Sequence, residues 1–347
     1  MSAVRGRLVV TLLFVLLSNG AHADREMPLR EPPSALGTDQ LYLQAVYRSH
    51  FAPRAATFAV VATKLQGAVD AMCAMPNQGS LQVARGSWID AMLAWESAGA
   101  IAVGPLLERY TSANIDFWPT RPNMIEAAMG QVPPNMTMLR RVGVAARGLP
   151  ALEWLLWEPG ESARVLADAK VCGYALLLAQ DIAGEGQALD TLFAALGRSL
   201  PASAAATAMR AELVNQAVGA VEVLRRKRLF NPAALGNPKL FARSRSDQVQ
   251  PAWNAQWQSI RDLLVGERRA DTWTFDALLR NHGFEAAAAR LRTGSDQASA
   301  ALRLASPARP QTAQQAAVAL LSLRRILEQD VAVPLGIPVS FSDFDGD

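Results

Sequence analysis

Arg147-Gly148-Leu149-Pro150-Ala151-Leu152-Glu153-Trp154-Leu155-Leu156-Trp157 places one carboxylate inside the most apolar, Trp-rich patch of the chain after its leader. Gly148 ends the preceding segment, and Pro150, with its fixed φ and missing N–H, suits the first position of a new helix. Glu153 then falls in the first turn, where the positive end of the helix dipole favours an anion. Two readings of Glu153 follow. It satisfies orphan N–H groups at a helix start, or it reaches across a packed core to a cation or another side chain. In the first case Glu153→Gln costs at most ~1 kcal/mol.

Helical periodicity extends outward from this stretch in both directions. Phe58, Val61, Leu65, Ala68, Val69 and Met72 recur at steps of three and four, after a helix restart at Pro53. Pro76-Asn77-Gln78-Gly79 breaks the chain, with Ser80 as the expected N-cap of a helix carrying Trp88, Met92 and Trp95 on one side. Gly104-Pro105 interrupts, residues 115–134 read as a structured loop, and residues 138–147 as a helix. Further helices are expected over 162–200, 202–229, 252–264, 273–280, 284–304 and 312–329. Only residues 331–339 alternate with period two. The fold class is therefore all-α, with antiparallel helices joined by turns, about four before the irregular 231–251 stretch and about four after it.

The N-terminus carries Arg5 and Arg7, an apolar run over residues 8–17 and the small-residue site Ala21-His22-Ala23, the pattern of a cleavable signal peptide over 1–23. No cysteine follows the run, so a lipoprotein is not expected, and no later stretch has the ~20 apolar residues of a transmembrane segment. Residues 24–37, with Pro28, Pro32 and Pro33, read as a flexible leader. The expected location is periplasmic. Two of the 34 Lys and Arg fall in the signal and none of the 31 acids does, which leaves a net charge of +1 and argues against a nucleic-acid partner. The run Arg225-Arg226-Lys227-Arg228 is expected to be solvated at a helix C-terminus. In this compartment Cys73 and Cys172 are expected to form a disulfide, the alternative being two buried thiols.

After cleavage His50 and His282 are the remaining imidazoles, and no H-E-x-x-H helix, G-x-S-x-G turn or phosphate-binding glycine loop is present. Carboxylates outside the exposed helix faces are Glu153, Asp116, Asp343, Asp345 and Asp347. The terminal D-x-D-x-D lacks the later Glu of a calcium loop and is better read as a solvated acidic tail.

Three separated stretches together resemble the imelysin-like family of exported bacterial proteins. They are Phe117-Trp118-Pro119 with Arg121, Gly148 to Glu153, and Leu335-Gly336 leading to Asp345-Gly346-Asp347. The resemblance implies two packed four-helix bundles, here about 38–230 and 247–347, with a site between them and a link to iron uptake. The family signature is G-x-H-x-x-E; Gly148 and Glu153 match it, but its histidine position is Pro150. The chain thus resembles a variant branch that keeps the fold, the cleft and the acid.

Phe241-Ala242-Arg243-Ser244-Arg245-Ser246 is similar to an Arg-Ser-rich segment of the family and places Arg243 and Ser244 near Glu153. The resemblance implies a binding or accessory protein of iron uptake. Glu153, Trp118, Arg121, Arg243, Ser244 and Asp343 would line a pocket for iron, another transition metal or an anionic metal chelate, with Glu153 the metal ligand and an envelope uptake protein as partner. Its alternatives are a metallopeptidase, disfavoured by the shortage of histidines, and a non-catalytic helical scaffold.

Overall fold

The computed structural model describes residues 35–131, 133, 135–266 and 273–339. The expected signal peptide, most of the expected leader and the acidic ending with Asp343 lie outside the described residues.

Among the described residues nine longer helices carry the architecture: α1 (Ala35–Val46), α2 (Ala52–Ala74), α3 (Gln78–Ala98), α4 (Gly148–Trp157), α5 (Ala169–Arg198), α6 (Ser203–Glu222), α7 (Val249–Val265), α8 (Glu285–Leu304) and α9 (Pro310–Ile326). Among the described residues there is no strand, only an isolated bridge between Ser306 and Arg309. The all-α expectation holds. Three π-helical turns, Tyr47–Phe51, Val223–Phe230 and Leu327–Ala332, follow α1, α6 and α9. Residues 331–339 therefore begin in a π turn, and their period-two pattern forms no strand.

Several boundaries differ from the sequence pattern. Helix α1 already begins at Ala35, inside the expected leader, and runs through its π turn directly into α2, with Pro53 tolerated in the first turn. Asn77, not Ser80, caps α3: its side chain accepts from Ser80 N, while Ser80 Oγ accepts from Asn77 N, a reciprocal capping box. The expected helix over 138–147 is instead a short helix at Met136–Leu139 and a 3-10 turn at Val144–Ala146. Asp168 divides the 162–200 pattern, its carboxylate accepting from Lys170 N to cap α5.

The periodic apolar residues form the core. Phe58, Leu65, Val69 and Met72 of α2 and Leu81, Ala84, Trp88, Ala91 and Met92 of α3 are buried. Helix α2 packs along α3 and α5, and α4 lies against α3 and α5. Gly186 on α5 lets the two backbones close in, since a Cβ there would sit 3.1 Å from Ala59 Cα. Helix α8 packs against both α7 and α9, and α3 meets α7 while α6 and its π turn meet α9. These last contacts make a seam, and the polar site lies along it. Cys73 near the end of α2 and Cys172 near the start of α5 are joined as a disulfide with Cα atoms 5.6 Å apart.

Candidate functional site

Helix α4 starts at Gly148, so Glu153 sits in its second turn, and the helix has no acid in its first. The cap reading of Glu153 is corrected accordingly. Its carboxylate crosses 93 residues of sequence to accept from Ser246 N at 3.1 Å and Ser246 Oγ at 2.7 Å. Gly148 is needed for a different reason than ending a segment. Its φ is +72°, and a Cβ would lie 2.1 Å from Ile115 O, so only glycine lets the residue 115–116 backbone pass the start of α4.

That close approach sets Asp116 beside α3. Asp116 Oδ2 accepts from Trp95 Nε1 at 3.2 Å and from Arg228 Nη2 at 2.8 Å, and its Oδ1 accepts from Arg243 Nη2 at 2.6 Å. Arg243 also donates through Nε and Nη2 to Glu96 Oε1, at 3.1 and 2.9 Å, and its guanidinium lies 5.8 Å from the Trp88 ring centroid. Glu96 Oε2 stands 3.7 Å from Arg228. Arg243 is wholly buried. Burial opposes its charge, but Asp116, Glu96 and Glu153 outweigh burial and keep it ionised.

The turn delivering Arg243 and Ser246 is tight. Arg243 (φ 67°) and Asp247 (φ 57°) both take left-handed backbone conformations that are uncommon for such residues, and Arg243 O accepts from Gln248 N and Ser246 Oγ. The fold stores this local strain where it aims a guanidinium one way and a serine the other.

Next to the network is a cavity of about 200 Å³. Its wall includes Trp95, Glu96, Asp116, Trp118, Lys227 and Arg228, with Gln216 and Gln256 adding amides and Gly99, Ala100 and Ala102 leaving room. The residues named from sequence distribute as follows. Arg243 lies by Glu153, and Trp118 lines the cavity, following Asp116 and preceding a cis peptide to Pro119. Glu153 itself does not line the cavity. Ser244 Oγ donates to Lys239 O instead of meeting Glu153; Ser246 has that role. Arg121 is exposed at the start of the short Pro122–Gly130 helix and makes no ion pair with the network among the described residues. Asp343 lies outside the described residues.

The basic run is also corrected: Arg225 pairs with Glu222, and Arg228 points inward to Asp116 rather than into solvent. Nothing local in the sequence separates Arg228 from its basic run or Ser246 from Ser244, whereas Glu96 carries a signal: it follows Trp88 by eight residues and Met92 by four, on the apolar stripe of α3.

A resident metal ion does not fit these residues. The imidazole position of the signature is Pro150, and Ser246 holds Glu153 Oε1. Among the described residues no group of three or more His, Cys, Asp or Glu could hold a metal. The imidazole of His50 is buried against Phe51 and Trp273, and that of His282 stacks on Phe284. Glu153 Oε2 is buried without a hydrogen-bond partner among the described residues.

Burial raises the Glu153 carboxyl above its ordinary pKa, with Arg243 and Ser246 only partly opposing that. A raised folded-state value contributes stability below the unfolded pKa that is lost as pH rises through the folded one. Glu153→Gln keeps an acceptor for Ser246 and removes the titration. Its unfolding free energy relative to the parent therefore rises between about pH 4 and pH 8 in urea titrations. A difference independent of pH refutes the buried, titrating carboxylate.

Fold and site define an all-helical protein with a buried carboxylate–guanidinium network beside a seam cavity. The Imelysin family model matches residues 51–327, and the chain belongs to that family. An imelysin-like protein from Psychrobacter arcticum 273-4 is 18% identical with a TM-score of 0.72, covering 88% of this chain and 98% of that one. A protein from Parabacteroides distasonis ATCC 8503, provisionally assigned as an iron-regulated protein A precursor, is 15% identical with a TM-score of 0.70, covering 85% and 95%. At these identities the likeness concerns the fold. No curated protein matches the chain significantly.

Proposed function

We propose that this chain is a periplasmic accessory protein of iron uptake, exported by cleavage after residue 23, which holds its ligand in the seam cavity between bundles of about 38–230 and 247–347. The observation that carries this reading is the cavity itself: a polar pocket, walled by two tryptophans, two acids and two bases, against a buried network that fixes its shape. Family membership and the likeness to a protein named as iron-regulated support the iron connection. The role is binding and delivery, with iron as cargo. Glu153 acts from behind, by holding the turn that carries Arg243.

Radioiron accumulation by cells lacking this protein tests the role. At low external iron, uptake falls and returns when the chain is supplied, whereas a variant lacking residues 1–23 does not restore it. Unchanged uptake in the deletion strain removes the iron assignment.

A further inference from the structure

The acids on the cavity wall are already engaged. All four carboxylate oxygens of Glu96 and Asp116 lie within ion-pair reach of a guanidinium: Glu96 Oε1 and Asp116 Oδ1 with Arg243, Glu96 Oε2 and Asp116 Oδ2 with Arg228. A bare cation entering the cavity would have to compete with arginines for every carboxylate oxygen on the wall, and one of those arginines is wholly buried.

Some donors on the same wall remain available among the described residues. Lys227 has no hydrogen bond or ion pair among the described residues, and Arg228 uses Nη2 alone, leaving Nε and Nη1 free. Gln256 on α7 is only 5% exposed, and its buried Oε1 has no partner among the described residues. An unpartnered buried amide costs free energy unless something binds it, and either end of the amide can face a ligand. Arg228 is also held rigid by Asp116, so its free edge is preorganised for a planar anion.

We propose that the cavity takes a small carboxylate-bearing molecule, clasped by the Lys227 ammonium and the free edge of Arg228. The Gln256 amide supplies a further hydrogen bond, and Trp95 and Trp118 form the apolar wall. The volume of about 200 Å³ suits a metabolite-sized molecule and falls below the ~300–1,000 Å³ of larger ligand pockets. This inference rests on the seam cavity being the ligand site. The carboxylate can belong to a free organic acid or to an iron chelate of one; the recognition chemistry is shared.

The test is calorimetric titration of the full mature chain with citrate, with ferric citrate and with ferrous sulfate, beside Lys227→Met and Lys227→Arg. Lys227 is half-buried and outside the ion network, and far-UV circular dichroism checks that both variants remain folded. Saturable binding of citrate, ferric citrate or both is expected. Lys227→Met should weaken it roughly tenfold or more, and Lys227→Arg should largely retain it. Binding of citrate alone, or of both equally, assigns the free acid; binding of ferric citrate alone assigns the chelate.

Absence of binding by both carboxylates overturns the inference, as does equal affinity in folded Lys227→Met. Ferrous iron binding without either carboxylate overturns it too, and leaves the iron-uptake role standing. Carboxylate binding in a protein whose deletion does not alter iron uptake supports the site and removes the role.

Discussion

Arg243→Met lowers the unfolding free energy by about 3–5 kcal/mol, because it strands acids that the fold has buried around one cation. The methionine fills much of the volume beside Trp88, so the loss is electrostatic rather than a cavity effect. Glu96 loses the donor to Oε1, Asp116 loses the donor to Oδ1, and Glu153 loses the cation that most favours its charge. The deficit is also pH-dependent. Burial alone would raise the Asp116 carboxyl, but Arg243 and Arg228 outweigh it and hold its pKa below the ordinary value.

The parent therefore draws stability from Asp116 that is present above the unfolded pKa and is lost as pH falls through the folded one. In the variant the acids shift upward, and their protonation at low pH relieves the repulsion. Urea unfolding of the two proteins between about pH 4 and pH 7.5 should show the gap narrowing toward acid. A gap below ~1 kcal/mol at neutral pH would show that Arg243 is not the charge that makes these acids tolerable.

Opening the Cys73–Cys172 bridge removes about 4–5 kcal/mol on the chain-entropy account, since the bond closes a sequence separation of 99 residues. It ties α2 to α5, two helices that pack along each other for most of their length, so reduction loosens the unfolded chain more than it alters the folded one. The Cys73→Ser/Cys172→Ser double variant, and the parent in reducing agent, should unfold at a clearly lower urea concentration with native helix content. Titration with a thiol reagent before reduction should find no free thiol. An unchanged midpoint after full reduction would sink the prediction.

Much of the fold was legible because helices announce themselves by spacing. Phe58, Leu65, Val69 and Met72 could bury one face only as a helix, and they do. Glu153 was legible as a site residue because an acid amid Leu152, Trp154, Leu155 and Leu156 has to be compensated. Its partner was half legible: the segment 241–246 resembles the family's, but Ser246 rather than Ser244 reaches Glu153, since the turn built on left-handed Arg243 carries Ser244 Oγ to Lys239 O instead. Arg228 was hidden in a run of four cations whose composition reads as solvent-exposed. Only the packing of the π turn against its neighbours points that one inward.

The sequence by itself determined the helical class, the family resemblance, the isolated acid and the absence of an imidazole at Pro150, all properties of local order and spacing. The tertiary structure decided which charges meet. Glu96, Asp116, Arg228 and Arg243 come from four segments as distant as 147 residues, and their pairing follows from helix packing and from one glycine that lets a backbone pass. Burial, which makes those pairs strong and Arg243 indispensable, is a property of the assembled seam and of no segment within it.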